Sequence, residues 1–61
     1  MLSAQIDLRE MDAIIKEAKA GIVKLMEISG GMQCVDRNCD RILASITMLE
    51  INISEAQDVL K

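Results

Sequence analysis

Two apolar stripes of heptad spacing, parted by a single Gly30-Gly31 pair, constrain this chain more than anything else in it. Before the glycines, Met1, Ala4, Leu8, Met11, Ile15, Ala18, Ile22 and Leu25 recur at alternating intervals of three and four. After them, Met32, Val35, Cys39, Ile42, Ile46, Leu49, Ile53, Ala56 and Leu60 do the same. That alternation keeps side chains on one side of an α-helix. The chain is therefore expected to be all-α, an antiparallel helical hairpin forming one domain over residues 1–61. The expected boundaries are a helix over about 3–29, a turn over about 30–34 and a helix over about 35–60.

Local signals support this division. Ser3 is a candidate N-cap, and Asp7 and Glu10 suit the positive pole of a helix that starts beside it. Asp12 and Lys16 stand four apart in the favourable order for an ion pair on the solvent side. Ser29-Gly30-Gly31 reads as a helix stop, with a glycine supplying the left-handed residue. The second helix has two possible starts, one capped by Asp36 and one preceded by Gln33 with Asp36 in its first turn. Leu49 to Ser54 alternates apolar and polar like a strand. A lone strand would have no partner, and the heptad stripe runs through it, so helix is expected there too.

At 61 residues the chain buries only ~60% of its unfolded surface and is marginal alone. Folds of this size usually add a disulfide, a metal or a second copy. Cysteines number two and histidines none, which leaves oligomerisation. The association core is expected at Leu8, Met11, Ile15, Ile22, Leu25, Ile42, Ile46, Leu49 and Ile53. A second apolar surface, off the stripes, is expected at Ile14, Val23, Ile28, Leu43 and Ile51. Two helices packed only on each other would leave that second set wet. The expected closure is a homodimer forming a four-helix bundle, with a helical partner protein as the alternative.

Composition removes several functions. The chain has no Phe, Tyr or Trp and so no stacking platform for single-stranded nucleic acid and no aromatic belt. Ten acidic against seven basic residues give a net charge of −3 with no basic stripe, which disfavours nucleic acid. A nucleic-acid-binding dimer using Arg37, Arg41 and the first-arm lysines is the weakest alternative. The longest apolar runs are three residues, against the ~20 that a spanning helix requires. With no leader-like segment, a cytoplasmic location and no membrane partner are expected.

Cys34 and Cys39 are the candidate redox residues. Five residues apart on a helix, they stand about 140° from each other and share no face. A zinc site generally needs four ligands, so no metal and no cofactor are expected. Cys39 falls on a stripe and reads as a small buried hydrophobe, whereas Cys34 lies near a helix start, where a thiolate is favoured. A thiol- or metal-responsive regulator using both is the second functional alternative. No nucleophile–base pair and no phosphate loop is visible, so no enzyme is expected. The reading that remains is a non-enzymatic protein–protein interaction module: a small regulator, adaptor or assembly chaperone.

Overall fold

A computed structural model describes residues 7–60 of the chain. It contains two helices and, among the described residues, no strand: α1 spans Leu8–Ile28 and α2 spans Gln33–Leu60. They pack antiparallel on each other, and the longest dimension of the hairpin is 42 Å. The strand-like alternation over residues 49–54 lies within α2, so its isoleucines sit on a helix.

Asp7 caps α1, its carboxylate accepting from the Glu10 backbone N–H at 2.9 Å. Ser3, Met1, Ala4 and the off-stripe Leu2 and Ile6 lie outside the described residues. The stop at the far end is built as the sequence suggests. Ser29 still has right-handed helical angles, and its N–H reaches the Met26 carbonyl. Gly30 and Gly31 then take φ of 68° and 84°, which cost a residue with a Cβ about 1–2 kcal/mol each. α2 starts two residues before position 35, and Asp36 falls in its first turn. The Ser29 hydroxyl lies 3.0 Å from the Met26 carbonyl and 3.1 Å from the Asp36 carboxylate, so its proton ties the end of one helix to the start of the next.

The buried apolar core among the described residues is one row of α2: Cys39, Ile46 and Ile53. α1 supplies the half-buried row Leu8, Ile15 and Ile22, and no residue of α1 is fully buried. These two rows form the contact inside the hairpin, and the rest of the expected association core lies outside that contact. Met11, Leu25, Ile42 and Leu49, all expected in the association core, are 43%, 43%, 42% and 48% exposed in the single hairpin. Asp12, Met26, Asp36, Leu43 and Glu50 take the half-buried places instead. Each helix is thus rotated by roughly one position from the expected stripe, turning Met11 and Leu25 out as Asp12 and Met26 turn in.

The physical reason lies in the width of the stripe. Each heptad carries apolar residues on both sides of its central row, and two helices can cover only one side. The side taken is bridged by the Lys19–Glu50 ion pair and the Ser29–Asp36 hydrogen bond. Lys and Glu can fill such places because their methylene stems lie along apolar surface while their charged ends reach water.

Candidate functional site

Both helices are right-handed and run in opposite directions. Residues displaced in the same sense from the two central rows therefore lie on the same side of the hairpin. The hairpin consequently has two unlike flanks.

One flank is charged. Asp12, Lys16, Lys19, Glu27 and Glu50 lie along it, with Lys19 Nζ 3.5 Å from a Glu50 carboxylate oxygen across the helix pair. Within α1, Lys16 Nζ lies 2.7 Å from the Asp12 carboxylate, as the four-residue spacing predicts. The hydrogen bond that Lys16 donates to that carboxylate, and then the carboxylate's charge, raise the Lys16 pKa above the ordinary lysine value. A pKa raised by folding gives a contribution that is complete below the ordinary lysine pKa and disappears as pH climbs through the raised one. The pair stands in water, so that contribution is small.

The other flank is apolar and open. On α1, Met11, Ile14, Ala18, Gly21, Leu25 and Ile28 continue at intervals of three and four, forming a complete second stripe. Ile14 is 56% exposed and Ile28 68%. On α2, the same side carries Val35, Ile42, Leu49 and Ala56, with a shallow groove beside Ile42, Leu49, Ser45 and Asn38. Outside this apolar strip α2 shows a row of small polar residues, Asn38, Ser45 and Asn52, where α1 shows Ile14, Gly21 and Ile28. A Cβ placed on Gly21 would meet nothing within 4 Å. Packing inside the hairpin thus gives no reason for a glycine in the middle of a helix, where it costs roughly 1 kcal/mol against alanine.

The second apolar set drawn from the sequence does not hold together as one surface. Ile14 and Ile28 belong to the open flank. Leu43 is half-buried between the helices, and Val23, 40% exposed, lies among the lysines of the charged flank. Ile51 faces outward on the back of α2. Residues that share only their absence from the stripes point in several directions on a helix. The open face is instead made from Ile14 and Ile28 joined to four of the expected core residues, Met11, Leu25, Ile42 and Leu49. The signal that could have found it is the continuous three-four spacing from Met11 to Ile28.

Cys34 is exposed and Cys39 is 2% exposed. They stand on different sides of α2, and among the described residues no group of three or more Cys, Asp or Glu comes together as a metal cage. Asn38 donates to the Cys34 carbonyl at 2.9 Å, which uses a backbone acceptor in the first turns of α2 and leaves the thiol aside. No helix among the described residues is long and apolar enough to cross a membrane.

No known protein family, curated protein or solved structure matches the chain.

Proposed function

We propose that the protein is a non-enzymatic association module, acting in the cytoplasm as a homodimer in which two hairpins close into a four-helix bundle. One observation carries this reading. The side of the hairpin richest in aliphatic side chains is the side left in water, while the side with the charges is the one drawn into the helix contact. An apolar strip running the length of both helices is a docking surface on a small protein. A second copy supplies a matching strip of the same length, and knobs-into-holes packing of aliphatic residues needs no aromatic anchor. A regulator, adaptor or assembly chaperone would use such a bundle as its scaffold.

Light scattering coupled to size-exclusion chromatography tests the reading directly. The expected result is twice the chain mass of 6.7 kDa over a broad concentration range. A monomer that keeps its helical circular dichroism at high micromolar concentration would overturn it.

A further inference from the structure

Granted that second copy, the chemistry of the open face points to how it docks. A twofold axis lying in the interface allows two arrangements of a pair of hairpins. In one, α1 lies over the partner's α2. In the other, each helix lies antiparallel over its own counterpart. We infer the second, with the axis passing at the level of Gly21 and Ser45.

The argument starts from register. The two contacts between the helices bracket the register: Ser29–Asp36 puts Gly21 of α1 level with Ala44 of α2 and Lys19–Glu50, with its longer side chains, puts it level with Met48, so Ser45 lies within that span. Ile14 is then level with Asn52, and Ile28 with Asn38. Laying α1 over the partner's α2 sets the row Ile14, Gly21, Ile28 against the amides and hydroxyl of Asn52, Ser45 and Asn38. Apolar side chains would then face the polar groups and strip water from them without offering hydrogen bonds. Laying like on like removes the conflict. Ile14 meets the partner's Ile28, Gly21 meets the partner's Gly21, Asn38 meets the partner's Asn52 and Ser45 meets the partner's Ser45.

Charge at the rim separates the two arrangements independently. By helical spacing Glu10, Glu17 and Lys24 form the exposed row on the back of α1 beyond Ile14, Gly21 and Ile28, and Arg41 and Glu55 the matching row of α2, with Lys24 also bordering the groove of the charged flank. The mixed arrangement sets Lys24 beside the partner's Arg41 and Glu10 beside the partner's Glu55, two like-charge contacts repeated by the symmetry. The like-on-like arrangement sets Glu17 beside the partner's Lys24, and Lys24 beside the partner's Glu17. Like charges across an interface select against a docking mode more strongly than opposite charges reward one. The inference also accounts for Gly21. At a twofold axis between two copies of α1, a hydrogen in place of a side chain lets the backbones approach where nothing in the single hairpin asks for it.

The test is disulfide trapping in a Cys34→Ser chain, with the buried Cys39 retained. A Gly21→Cys chain and a Ser45→Cys chain are mixed, oxidised and resolved by mass. Like-on-like docking joins 21 to 21 and 45 to 45, and these species should exceed the mixed 21–45 product by about tenfold or more, since a disulfide forms only at short Cα separation. Dominance of the 21–45 product overturns the inference while leaving the dimer standing. As a second probe, Ile14→Cys and Ile28→Cys chains should cross-link to each other on mixing, whereas Ile14→Cys should not cross-link to Asn52→Cys. If light scattering shows only monomer, both the inference and the functional reading fail.

Discussion

Leu49→Glu is the substitution that best separates an isolated hairpin from half of a bundle. Leu49 is 48% exposed, so in a lone hairpin the new carboxylate reaches water from a surface position. Surface changes of that kind stay within about 0.5 kcal/mol, and helical circular dichroism should be unchanged. In a bundle the outcome differs. Fully burying a leucine is worth about 1.5–3 kcal/mol, so the exposed half of Leu49 has about 1 kcal/mol still to gain from a partner. Symmetry doubles this to about 2 kcal/mol per pair, a loss of roughly thirtyfold in affinity at 1.4 kcal/mol per decade. Each carboxylate forced against apolar neighbours adds a desolvation penalty of several kcal/mol. The pair should therefore separate at concentrations where the parent remains whole. Light scattering at several concentrations, read beside far-ultraviolet circular dichroism, gives both answers from one sample. A Leu49→Glu protein with the same mass distribution as its parent would refute the reasoning.

Three further outcomes follow from the hairpin itself. Ile46, 5% exposed in the central row, should not tolerate Ile46→Asp: an unpaired buried carboxylate costs about as much as the whole stability of so small a domain, ~3–9 kcal/mol. The helical signal should collapse, and a cooperative melt from this variant would contradict the assigned core. Gly30→Ala, at φ 68°, should lower stability by about 1–2 kcal/mol, with Gly30→Asn falling less, as read by thermal unfolding. Equal melting temperatures for Gly30→Ala and the parent would argue against the left-handed stop. A chromogenic thiol reagent should titrate Cys34 promptly in the native protein and Cys39 only on unfolding; equal rates would place Cys39 outside the core.

Different parts of the fold were legible in the sequence for different reasons. The two helices and the break at Gly30-Gly31 follow from local chemistry, namely three-four periodicity, the absence of proline and glycines able to take positive φ. The central rows through Ile15, Ile22, Ile46 and Ile53 were also readable, since every reasonable placement of a stripe includes them. The rotation about those rows was not readable. Met11 and Leu25 compete with Met26 for the inner side, and hydropathy favours the side carrying Met11. On the side that is taken, Lys19 reaches Glu50, 31 residues away, and Ser29 reaches Asp36 across the turn, and no periodicity announces such matches. The cap at Asp7 shows a milder form of the same limit, because several polar residues near the start could each have served.

The charged flank has a consequence for how far assembly can go. A hairpin with adhesive surface on both sides could add copies without end and grow into a fibre. Here Lys16, Lys19 and Glu50 occupy the side that would have to accept a third copy. In the proposed pair the two apolar strips face inward and consume each other, and the charged flanks face outward. The ion pair that bridges α1 and α2 would thereby also act as a terminator, limiting the assembly to two copies.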